Sequence, residues 1–235
     1  MERIRNKKLT AAVTAFAVVA CVVLLVLYVL KNKSGYALVS VVMISLSIVP
    51  FFLSFERRKP KARDIVPIAV MAALATVGRI AFAMVAGVKP TTAIVIISGV
   101  AFGPQAGFLT GAVSALASNF FFGQGAWTPW QMLAWGLCGL FAGMFKNIGA
   151  IKGTKSLILY GVLASMMFGL IMNGWHIIGF VSPITAGAVI TTLVASFYYD
   201  LVHVISTAVF LLLLGNMWLK KLARVKDKFG VMQTG

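Results

Sequence analysis

The sequence predicts an all-α polytopic membrane protein, with a two-helix transmembrane hairpin ahead of a six-helix core. Three observations lead there. First, 60% of the 235 residues are hydrophobic and only 11% are charged, with a mean hydropathy of +0.98. A soluble domain is about half apolar and a quarter charged. Second, the apolar residues gather into eight segments, roughly 9–30, 35–54, 65–87, 91–102, 105–122, 129–145, 156–180 and 185–216. Third, the 21 Lys and Arg, set against 5 Asp and Glu, lie almost wholly between or beyond those segments. The net charge of +16 therefore reads as the positive-inside bias of a membrane protein and not as nucleic-acid binding.

The first two segments form residues 1–55, the N-terminal hairpin. Val18-Val19-Ala20-Cys21 looks like a lipoprotein cleavage box, but the apolar run continues to Leu30. That is past the core of a signal peptide, so the segment reads as a retained span. Residues 56–63 are a basic cytoplasmic linker. The run FERRKPKARD holds five basic residues and a proline, which lipid excludes. Residues 64–218 form the core, and 219–235 a basic cytoplasmic tail.

Segment 91–102 decides the topology. It falls short of the about 20 residues a span needs, and only Gly103-Pro104 separates it from the next segment. If it crosses alone from a cytoplasmic N-terminus, the basic clusters at 3–8, 57–63, 146–155 and 220–228 all lie inside. Only Lys31, Lys33 and Lys89 then lie outside. Merging 91–122 into one crossing expels the last two clusters. The positive-inside rule selects the first arrangement, with both termini cytoplasmic and the 122–129 loop outside.

The third segment repeats small residues at Ala69, Ala73 and Val77, a spacing that lets helix backbones approach in a membrane. Arg79 lies farther along it. An unpaired charge there costs at least about 2.5–3.5 kcal/mol, so Arg79 needs a partner or a wet pocket. Asp200, near the middle of the last segment, makes Arg79–Asp200 a candidate structural ion pair. The stretch NFFFGQGAWTPWQM, residues 119–132, offers flat rings and amides without charge. Asn119, Gln124, Trp127, Trp130 and Gln131 are its candidate substrate-binding residues, with Pro129 suited to the first turn of a helix. Asn173, Trp175 and His176, near the outer end of the seventh segment, join them, and His203 reads as a polar packing contact. These groups suit an uncharged or zwitterionic organic ligand.

Several classes are disfavoured. There is no Walker A loop, HExxH or hydrolase serine motif, and Cys21 and Cys138 have no metal-site spacing. The chain is expected to be no enzyme, to bind no metal and to hydrolyse no ATP. An autonomous ion-coupled transporter is a competing reading, in which Asp200 would be essential; the lack of visible internal repeats weighs against it.

The six-helix core with cytoplasmic ends, the Ala69/Ala73 spacing, and the run FGPQAGFLTGAVSALASNFFFGQGAWTPWQMLAWGLCGLFAG together resemble the substrate-binding S component of an energy-coupling factor (ECF) vitamin transporter. The resemblance covers about residues 64–218. It implies a prokaryotic cell-membrane protein that captures a vitamin at the outer face and binds no cofactor itself. It also implies docking through Ala69 and Ala73 on a membrane T component, two partner ATPase subunits that use ATP, and toppling within the lipid bilayer. The TPWQM loop and the two extra helices resemble S components for cobalamin. A corrinoid is the favoured ligand, with riboflavin or another flat vitamin as the alternative.

Overall fold

The computed structural model describes residues 61–231 and, before them, only Val42, Ser45, Ile48 and Phe52, each at a helical position. The chain divides into two units, Met1–Pro60 and Lys61–Gly235. The expected hairpin and most of the basic linker lie outside the described residues.

Every regular element described is a helix: α1 (Ala62–Ala81), α2 (Pro90–Phe102), α3 (Pro104–Phe122), α4 (Trp127–Asn147), α5 (Thr154–Phe180), α6 (Ala186–Phe210) and α7 (Asn216–Phe229). Their bounds lie near the apolar segments, with three informative departures.

The first is at α1, which stops at Ala81 and not near residue 87. Lys89 precedes Pro90 and is extended at φ −139°, ψ 92°, because proline crowds the residue before it out of the helical region. Gly87 adopts φ 81°, and a Cβ there would sit 2.8 Å from the Val202 side chain of α6. The Lys89 N–H donates to Ser206 Oγ at 3.3 Å. The connection thus turns in against α6, and Lys89, expected in an outer loop, is half-buried in the bundle.

The second is α2. All residues from Pro90 to Gly99 are buried, and α2 touches every other helix of the core. Its 13 residues span about 20 Å, less than the about 30 Å hydrocarbon layer. Gly103 at φ 97°, with Pro104 opening the next helix, reverses the chain. α3 runs back along α2, and Ser98 and Thr110 meet at 2.8 Å. Gly99, Gly107 and Gly139 converge where α2, α3 and α4 cross. A Cβ on any of them would run into the backbone of another, so these glycines permit the close approach.

The third is the C-terminal helix. α6 passes through a π-helical turn at Leu211–Gly215 into α7. The result is one helix of 44 residues, Ala186–Phe229, where an apolar segment ending near 216 and a basic tail are expected. Lys226 Nζ donates to the Ala101 carbonyl at 3.4 Å. A cation is favoured there because Ala101 lies at the negative end of α2.

α5 and α6 are antiparallel, joined by Ser165 Oγ donating to Thr207 Oγ1 at 2.9 Å. Among the described residues, α1, α5 and the α6–α7 rod are long and apolar enough to cross a membrane, and α2 is a shorter apolar helix. α3 has 19 residues and α4 has 21.

Candidate functional site

Two polar clusters lie within the core, joined by an aromatic pair. The first cluster is built by α1, α3 and the start of α4. Arg79 Nη1 donates to Ser118 Oγ at 2.6 Å and to Asn119 Oδ1 at 2.8 Å. Asn119 is fully buried. Its Nδ2 donates to Thr128 Oγ1 at 2.9 Å and to Gln131 Oε1 at 2.8 Å. Thr128 Oγ1 in turn donates to Gln124 Oε1 at 2.9 Å, and Gln124 Nε2 donates to the Leu116 carbonyl at 3.0 Å. Asn119, Gln124 and Gln131 are expected among the substrate-binding residues. The structure does bring them together, but it spends both Asn119 N–H donors on neighbours. Gln124 is exposed and organises the loop.

The second cluster is a polar stripe on α6. Ser196, Asp200, His203 and Thr207 recur at i, i+4, i+7 and i+11, one face of a helix. Asp200 Oδ2 accepts from Asn173 Nδ2 at 3.1 Å and from Ser196 Oγ at 2.9 Å. His203 Nε2 meets Thr92 Oγ1 at 2.7 Å. Arg79 and Asp200 form no ion pair: the Arg79 bonds go to α3 and the Asp200 bonds to α5 and α6. The reason is topological, since α1 packs on α2 and α3, and α6 packs on α5 and α2.

Trp135 and Phe168 connect the clusters. Their ring centroids are 4.6 Å apart, and Trp135 is fully buried with Nε1 donating to Thr92 Oγ1 at 2.9 Å. The Arg79 guanidinium lies 4.9 Å from the Trp135 centroid and 4.6 Å from that of Phe122. Lys89 Nζ lies 5.2 Å from the centroid of Phe168. Such spacings bring cation–π attraction. Both Arg79 and Asp200 act electrostatically on Lys89. Lys89 is not among the expected site residues, because a charge between apolar segments reads as a loop charge. The Lys-Pro dipeptide was the available signal.

At the end of the bundle that holds the 122–129 loop, Trp127 and Trp175 meet edge to face at 6.2 Å. Trp130 is half-buried on the opening turn of α4, with Pro129 beside it as expected. His176 is exposed and stacks on Phe180 at 5.6 Å, so it belongs to the rim. An open concavity of about 440 Å³ lies between α5 and α6, lined by Asn173, His176, Thr191, Thr192, Ala195 and Ser196.

Away from this interior, α1 presents Ala69 and Ala73 on its exposed face with Val66, Val70 and Val77, while Ile68, Met71, Ala72 and Ala75 face inward.

Apolar helices around a polar, aromatic interior, with small residues on an outer helix face, are the features of a helical membrane protein. Residues 59–224 match the family described as ECF-type riboflavin transporter, S component, and the chain belongs to that family. It is also 32% identical over 114 residues to a UPF0397 protein of Vibrio atlanticus (strain LGP32), across 46% of this chain and 59% of that relative. The chain thus spans about three-fifths of the length of that relative. No solved structure matches the chain. The family is the one the core residues resemble, and the cobalamin specificity finds no support in these matches.

Proposed function

We propose that this S component captures a flat heteroaromatic vitamin of the riboflavin class at the outer face of a prokaryotic cell membrane. It hands the vitamin to a membrane T component driven by two ATPase subunits. The observation that carries this reading is the interior Trp135–Phe168 pair, flanked by Arg79, Lys89, Asn173 and Asp200. Paired aromatic rings beside convergent polar groups suit a flat ring system with hydrogen-bonding edges. A corrinoid is a poorer fit. The amides of residues 119–131 are engaged with one another and so are not presented to a ligand rich in amides.

The exposed Ala69/Ala73 face of α1 is the docking face for the T component, because small residues let a partner helix come close. Both termini are cytoplasmic, as the basic clusters require.

The test is a thermal-shift screen of the purified chain, without ATP, against riboflavin, cobalamin and other vitamins. Riboflavin at a hundred times its Kd should add about 2.7 kcal/mol of stability. Stabilisation by cobalamin and not by riboflavin would overturn the substrate reading. Uptake by the chain reconstituted alone would overturn the partner reading in favour of an autonomous transporter.

A further inference from the structure

Lys89 is unlike the other lysines of the core. It is drawn into the bundle by a connection anchored twice on α6, at Gly87 against Val202 and at the Lys89 N–H on Ser206. Its ammonium faces the ring of Phe168, and among the described residues it has no ion pair. Asp200 lies near enough to act on it electrostatically, as does Arg79. The Asp200 carboxylate is already hydrogen-bonded by Asn173 and Ser196. Two fixed cations therefore share the interior with a single carboxylate. α2 opens immediately after Lys89, so the positive end of its dipole adds to the same place. Burying a cation is expensive, and that cost is recovered when an anion arrives.

We propose that Lys89, with Arg79, forms an oxyanion site on the Trp135–Phe168 pair, and that the preferred ligand is a flat heteroaromatic carrying a phosphate or carboxylate. This inference rests on the riboflavin-class reading and refines it. The ring system stacks on the aromatic pair while Lys89 and the Arg79 guanidinium approach the anionic group. Charge-assisted hydrogen bonds from such donors are about twice as strong as neutral ones.

Riboflavin and riboflavin 5′-phosphate differ only in the phosphate, which makes them a matched pair of probes. Their affinities for the full chain in nanodiscs can be read by quenching of tryptophan fluorescence. The expected result is at least tenfold tighter binding of the phosphate ester. Lys89→Met should abolish that preference, and Lys89→Arg should retain it. Unchanged thermal unfolding of each variant would establish that the fold is intact. Should Lys89→Met fail to fold, the preference of the wild-type chain and of Lys89→Arg decides. Riboflavin bound at least as tightly as its phosphate, or a preference that survives Lys89→Met, overturns the oxyanion site and leaves the riboflavin reading standing. Binding of neither probe overturns both.

Discussion

Replacing Asn119 with leucine keeps the number and branching of the side-chain heavy atoms and removes three hydrogen bonds at once. The bond from Arg79, at 2.8 Å, involves a charged donor and is worth about 1.5–3 kcal/mol. The bonds to Thr128 and Gln131 are neutral and contribute about 0.6 kcal/mol each inside membrane bundles. The expected loss is roughly 3–4 kcal/mol, a hundredfold or more in the folding equilibrium. Denaturant unfolding in detergent micelles, followed by tryptophan fluorescence, would measure it. A double-mutant cycle with Arg79→Met isolates the charged component, and the coupling should be at least about 1.5 kcal/mol. A loss below about 1 kcal/mol, or strict additivity in the cycle, would refute the reasoning. Asn119 would then not be the residue that holds Arg79 between α1 and α3.

Three further outcomes are expected. Ala69→Trp with Ala73→Trp should abolish uptake by the assembled transporter and leave vitamin affinity unchanged in the isolated chain; loss of affinity would place α1 in the pocket. Gly139→Ala should cost about 1–3 kcal/mol or more, because the added methyl meets the Gly107 carbonyl; a wild-type half-life in detergent would contradict the close crossing. His176→Ala should change vitamin affinity less than threefold, since the ring is exposed and stacked on Phe180; a tenfold fall in titration would move the site to the rim.

Much of the core is legible from residue order. The break at Gly103-Pro104 separates α2 from α3, as proline and a positive φ demand, and the apolar runs lie close to α2 through α5. Asn119, Gln124 and Gln131 are readable as a group because they are close in the chain. Their internal pairing is not, since an amide can face a ligand or another amide equally well. The Arg79–Asp200 pair fails for a related reason: charge complementarity says which groups could meet, and helix neighbours decide which do. The stripe Ser196, Asp200, His203 and Thr207 was visible as a helical period of polar residues in an apolar helix. Lys89 was harder. Hydropathy assigns it to a connection, and only the packing of Gly87 on α6 shows that this connection runs inward.

The fused α6–α7 helix has a mechanical corollary. Its 44 residues make a rod of about 66 Å, more than twice the depth of the hydrocarbon layer. Such a rod cannot be laid flat without its basic far end sweeping through an arc as wide as the bilayer itself. Any reorientation of the core is therefore tied to where Lys220, Lys221 and Arg224 can travel. With that end in the cytoplasm, as proposed, those charges resist entering lipid.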